Sequence, residues 1–96
     1  MSIMIENTDT YGGEANYSWA NRFAIDNEEL TDKQLIRLAK KVTGFTGVRC
    51  KVENIGELIA IYPRGYCQVI FINYIENDYI DKYCFIKRID AKGNEL

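Results

Sequence analysis

The chain has no histidine, one proline and one tryptophan among its 96 residues. Without imidazole, the commonest general base and the usual activator of a Ser or Cys nucleophile are missing. A Cys/His zinc site is excluded for the same reason. The three cysteines, Cys50, Cys67 and Cys84, are odd in number, and no pair has C-x-x-C spacing. That pattern gives neither a secreted disulfide framework nor a redox motif, so they read as ordinary thiols. Glycine pairs occur at Gly12-Gly13 and across Gly44-Phe45-Thr46-Gly47, but neither is a phosphate-binding loop. No apolar run is long enough to span a bilayer, and Met1 to Glu6 lack a basic leader region. The expectation is no membrane partner and a cytoplasmic location, without a cofactor, a metal or a catalytic residue. Paired carboxylates such as Asp9 with Glu14, or Asp78 with Asp81, are available for metal-dependent chemistry. Their spacing singles none of them out, and the chain is expected not to be an enzyme.

What is present is the composition of one small folded domain. With 47% hydrophobic and 27% charged residues, the chain has enough apolar surface for a single core. Its net charge of −2 lacks the general basic footprint of a duplex-binding protein. Local basic patches remain open, because the twelve Lys and Arg are unevenly spread.

Apolar periodicity places the elements. Ile3, Ile5 and Asn7 alternate as one face of a short strand over residues 2–9. Gly12-Gly13 then supplies a reversal. From Asn16 a second alternation puts Tyr17, Trp19, Asn21, Phe23 and Ile25 on one face, which predicts a strand paired to the first around a loop of about six residues. Thr31-Asp32-Lys33-Gln34 matches a capping box, and Leu35, Leu38, Ala39 and Val42 recur at helical spacing. A helix from about Asp32 to Thr43 follows, with Leu30 and Leu35 placed as a staple and Gly44 as its stop. Val48, Cys50 and Val52 alternate with charged residues. Asn54 to Glu57 reads as a turn, Leu58 to Tyr62 as a strand ended by Pro63-Arg64-Gly65, and Tyr66 to Tyr74 as a central strand. Residues 80–89 hold a last strand or a loop with a short strand from Tyr83. The polar tail, about 90–96, is expected to fray. The order β-β-α-β-β-β, with room for one more edge piece, predicts a single α+β domain: an antiparallel sheet of about five strands with one helix on one face.

The segment Thr8 to Trp19 is the one stretch composed for something besides packing. It holds the only Trp and the only Gly-Gly pair among dense polar side chains. A lone Trp on an alternating strand is expected to be a core anchor. Asn16 and Ser18 are expected to fix the loop backbone, leaving Tyr11 and Glu14 at an exposed tip. Seven Tyr, five of them after residue 60, are shared among three readings. On strands they pack against cross-strand neighbours. They also suit a protein-binding hot spot. With Lys40, Lys41, Arg49 and Lys51 nearby they suit a stacking platform for single-stranded nucleic acid. The acidic residues Glu28, Glu29, Glu53, Glu57, Glu76, Asp78 and Asp81 argue against nucleic acid as the main partner. Candidate partner-binding residues are therefore Tyr11, Glu14, Glu76, Asp78, Tyr79 and Asp81.

The string T-D-T-Y-G-G-E-A-N-Y-S-W, from Thr8 to Trp19 with Arg22 shortly after, resembles small uncharacterised bacteriophage and prophage proteins. Gly44 to Cys50 and Ile61 to Gly65 extend the likeness over roughly residues 3–72. The resemblance implies a genomic setting, not a reaction. Small accessory proteins of that setting commonly bind and inhibit a host protein, and an anti-defence role of the anti-CRISPR type against a CRISPR effector is the most specific expectation. A small RNA- or single-strand-binding module and a phage assembly component are the alternatives.

Overall fold

The computed structural model describes residues 2–11, 13–26, 29–76 and 86–96. It is an α+β domain in which one helix packs on a six-stranded mixed sheet. The strands are β1 (Ser2–Asp9), β2 (Ala20–Asp26), β3 (Cys50–Ile55), β4 (Leu58–Pro63), β5 (Gln68–Ile75) and β6 (Ile86–Arg88), with α1 (Asp32–Thr43) between β2 and β3. Their order in the sheet is β3-β4-β5-β1-β2-β6. Every pairing is antiparallel except that of β6 with β2, which is parallel. The sheet is mostly antiparallel, as expected, and β6 supplies the additional edge piece through the one parallel pairing among the described strands.

β5 is central in the sheet, as expected, and its neighbour β1 is the most deeply buried strand. All eight of its residues are buried, because β5 and β2 flank it and both faces are covered. Register decides what each face holds. Ile3 and Ile5 stand opposite Ile25 and Phe23 on one side and Tyr74 and Ile72 on the other. Ile59 and Ile61 of β4 continue the row through Ile72 and Ile70. These branched side chains suit the pleat, where their stiff χ1 rotamers cost little. Leu35, Leu38 and Ala39 of α1 close the core on this face, with Leu30 packed against its margin. The opposite face carries Met4, Glu6 and Thr8 of β1, flanked by Val69 and Ala24.

Local chemistry sets the helix ends as the sequence implied. The Thr31 hydroxyl accepts from the Gln34 N–H at 3.2 Å, and the Thr31 N–H donates to Gln34 Oε1 at 2.8 Å. Gly44, at φ 85°, ends the helix in the left-handed region. Beyond β6 the chain turns back on itself: Ile89 bridges Glu95, and the Leu96 N–H donates to the Arg88 carbonyl at 3.1 Å. The Asp90 carboxylate caps this turn by accepting from the N–H groups of Lys92 and Asn94, each at 2.9 Å. Those hydrogen bonds, that of Asn94 foremost, hold Asp90 below the ordinary aspartate range. Gly93 rests against the helix, so close that a Cβ there would lie 3.2 Å from Val42 Cγ1. No helix among the described residues is long and apolar enough to cross a membrane.

Candidate functional site

Residues 10–19 join β1 to β2 and form the longest connection between consecutive elements in which all but one residue is described. The second strand begins at Ala20 and not near Asn16, so the loop is longer than expected. The alternation of Tyr17 and Trp19 imitates a strand, but their backbone belongs to the loop. Trp19 is accordingly 40% exposed and is not a core anchor.

Asp9 organises this loop. It is the last residue of β1, and its carboxylate turns up into the loop instead of into solvent. Oδ1 accepts from the Ser18 N–H at 3.0 Å, and Oδ2 accepts from Asn16 Nδ2 at 3.3 Å. The Asp9 carbonyl accepts from the Asn16 N–H at 2.9 Å. One residue thus satisfies both arms of the loop, as a short acceptor side chain does in an Asx turn. Burial alone pushes the Asp9 carboxyl up, but the hydrogen bonds from Ser18 and Asn16 outweigh it and hold the group below the ordinary aspartate range. Asn16 and Ser18 do fix the loop, with Asp9 as their acceptor.

Further ties come from the face opposite the helix and from the neighbouring turn. The Thr8 hydroxyl, fully buried, donates to the Trp19 carbonyl at 2.8 Å. Tyr17 sits at φ 54°, a left-handed conformation that a bulky residue adopts only when its surroundings impose it. Its hydroxyl reaches back over the face opposite the helix and donates to Glu6 Oε1 at 3.3 Å. Glu6 in turn receives Arg22 Nε at 2.6 Å across the β1–β2 ladder. The Thr10 N–H donates to the Cys67 carbonyl at 2.8 Å, which ties the loop to the β4–β5 connection. Tyr66 lies in that connection, and its ring meets Phe45 edge-on, with centroids 5.0 Å apart.

The outcome is an aromatic end to the sheet. Tyr11 is 80% exposed, Tyr17 50% and Tyr66 52%. With Trp19 they are half of the large hydrophobic side chains that stand exposed among the described residues. Hydrogen bonds link the two segments that carry them, residues 10–19 and the β4–β5 connection, so the display is held in one shape.

Of the residues singled out from the sequence, Tyr11 and Glu14 lie exposed on this loop. Glu76 is exposed just past β5, whose last residue pairs with Ser2 at the far end of β1. Eight residues of extended strand separate the two ends, about 23 Å at ~3.3 Å per step. The structure therefore does not bring Glu76 together with Tyr11 and Glu14. Asp78, Tyr79 and Asp81 lie outside the described residues. Sequence reasoning missed Tyr17, Trp19 and Tyr66 as surface groups. The signal for Tyr17 and Trp19 was their position inside a run of Gly, Asn and Ser. The basic strip of Lys40, Lys41, Arg49 and Lys51 is also divided: Lys51 points to the face opposite the helix and pairs with Glu53 at 3.0 Å.

Among the described residues no group of three His, Cys, Asp or Glu side chains stands close enough to hold a metal ion. Protein-family models, curated proteins and solved structures were each compared with the chain, and none of them matches.

Proposed function

We propose that the protein is a non-enzymatic binding protein that docks through the β1–β2 loop on another protein. The observation that carries this reading is the exposure of Tyr11, Tyr17 and Trp19 on a loop anchored by Asp9, Thr8 and Glu6. Exposed Trp and Tyr are the residues that most often dominate protein interfaces, because they bury a large area for few rotatable bonds. Anchoring the loop beforehand lowers the entropy lost on association. A mobile loop of the same composition would lose much of its binding energy to ordering.

The likeness of Thr8–Trp19 to phage and prophage proteins supports a host protein in the bacterial cytoplasm as the partner. Its most specific form is an anti-defence inhibitor that occupies a CRISPR effector or another defence nuclease. The test is phage plating on hosts that each carry one active defence system, with and without the protein. Plating should be restored on at least one host, and the purified defence component should bind the protein directly. Tyr11→Ala and Trp19→Ala should each weaken that binding by about tenfold or more. Full binding by the double variant would overturn the docking reading. Failure to restore plating on any host would overturn the anti-defence form of it.

A further inference from the structure

We infer that the outer face of α1 binds the phosphate backbone of single-stranded nucleic acid, independently of the docking loop. Lys33, Arg37, Lys40 and Lys41 recur at spacings of four, three and one, which puts all four on one side of the helix. The helix buries Leu35, Leu38 and Ala39 on the other side. Lys33, Arg37, Lys40 and Lys41 line a groove closed by Thr46 and Gly47. On the far flank of the helix, Arg37 and Lys41 also border a second groove that ends at Lys92. The two grooves thus share a basic ridge.

Helix stability does not account for this stripe. Lys40 and Lys41, in the last turn, complement the macrodipole. Lys33 lies in the first turn, where the dipole disfavours a cation. Lys33–Arg37, Arg37–Lys40 and Arg37–Lys41 are like-charge pairs at i,i+3 or i,i+4, which destabilise a helix. Arg22, Lys51 and Lys87 are ion-paired to Glu6, Glu53 and Glu95. Among the described residues, none of the four stripe cations has a carboxylate within ion-pair distance. The chain carries twelve basic and fourteen acidic residues, so outside the stripe the balance is eight against fourteen. The Lys41 ammonium donates to the Lys92 carbonyl at 2.6 Å, which leaves its charge in place. An acidic protein has collected positive charge on one helix, and charge complementarity selects an anionic partner.

One feature favours nucleic acid over an acidic protein segment. At the groove wall, Thr46 and Gly47 follow Phe45, and Phe45 holds Tyr66 edge-on and half exposed. A fixed, exposed Tyr ring, packed on the residue that precedes the groove wall, offers unpaired bases a stacking face.

Fluorescence anisotropy with a labelled mixed-sequence 12-nucleotide strand tests this. Binding should tighten as salt falls, with a log–log slope near −2 to −3, for about 0.7 per phosphate neutralised by three or four cations. A Lys33→Gln, Arg37→Gln, Lys40→Gln variant should bind at least tenfold more weakly with a flatter slope, roughly what the loss of three phosphate contacts implies. Circular dichroism should show its helix intact, since Gln is a good helix former. Lys33→Gln alone, at an exposed position, should give the same change on a smaller scale. Tyr66→Leu should weaken binding by about tenfold without changing the slope, because stacking releases no counterions. Tyr11→Ala should leave binding unchanged, which separates this surface from the docking loop. Absence of binding at low salt, or an unchanged affinity in both Gln variants, would overturn the inference. So would a polyglutamate peptide that displaces the strand at equal charge concentration, since it would assign the face to acidic proteins.

Discussion

Two hairpins in this sheet solve the same problem at different lengths. Ile55 of β3 pairs directly with Leu58 of β4, so Gly56 and Glu57 alone reverse the chain. Thr8 of β1 pairs with Ala20 of β2, and residues 10–19 make the corresponding connection. Reversal therefore needs two residues, and the additional chain at the β1–β2 end does something else. Closing the longer loop costs about 1.5 kcal/mol more, at ~0.6 kcal/mol per doubling of length. Hydrogen bonds donated by Thr8 and accepted by Asp9 and Glu6 offset that cost, and each of these residues belongs to β1. The short turn is specified by its own backbone. The long loop is specified by side chains of the strand it leaves.

The comparison breaks if the long loop does not depend on β1. Thr8→Val keeps the shape of the side chain but removes the donor to the Trp19 carbonyl. We expect a loss of about 1–3 kcal/mol, the cost of an unmet hydrogen bond at a buried site. Urea denaturation measures it. Faster amide exchange confined to residues 13–19 would locate the change in the loop. A Thr8→Val protein with unchanged stability and exchange would mean that the anchor does not matter.

At the short turn the expected effect is smaller. Gly56 has φ 61°, where a side chain is strained although the space around it is open. Gly56→Ala should cost about 1–2 kcal/mol through backbone strain alone. Gly56→Asn should recover part of that loss, since Asn tolerates the left-handed region. Neither change should alter exchange in residues 13–19. A change there would show that the two hairpins are coupled through the sheet.

The same contrast explains what could be read in advance. α1 was legible because its signals are local: a capping box, an apolar stripe and a terminal Gly all fall within fourteen residues. The strands of the core were legible because burial on one face imposes period two. The start of β2 was not, since Tyr17 and Trp19 continue the alternation without sharing its cause. Pattern alone does not separate a strand residue facing the core from a loop residue held at φ 54° by a hydrogen bond to Glu6. The parallel β6 was hidden for another reason: its direction is set by its neighbour β2, which lies sixty residues earlier in the chain. Asp9 illustrates the limit for the candidate site. A carboxylate next to a Gly-Gly pair reads as a solvated loop residue, and its role is visible only when Asn16 and Ser18 are seen to converge on it.

Asp9 also gives the finest test of the contrast, because its anchoring depends on charge. Its carboxyl lies below the ordinary range in the folded protein, against about 3.9 in an unfolded chain. A depressed folded value means that the unfolded state binds the proton more readily, so stability falls as protons are added. The contribution of Asp9 is complete above the unfolded value and disappears as pH drops through the folded one. Asp90, depressed by the N–H groups of Asn94 and Lys92, acts in the same direction. Acid should therefore loosen both the loop and the C-terminal turn, while the Gly56 turn, which has no carboxylate cap, should hold. Denaturant midpoints measured from neutral pH down to about 2.5 should fall more steeply for the native chain than for Asp9→Asn, because both lose the Asp90 charge in that window but only the native chain also loses that of Asp9. Asp90→Asn should flatten the same curve but leave the acid-induced exposure of the Ser18 amide in place. If Asp9→Asn kept the full acid slope, the carboxylate would not be the anchor, and the loop would owe its shape to Thr8 and Glu6 instead.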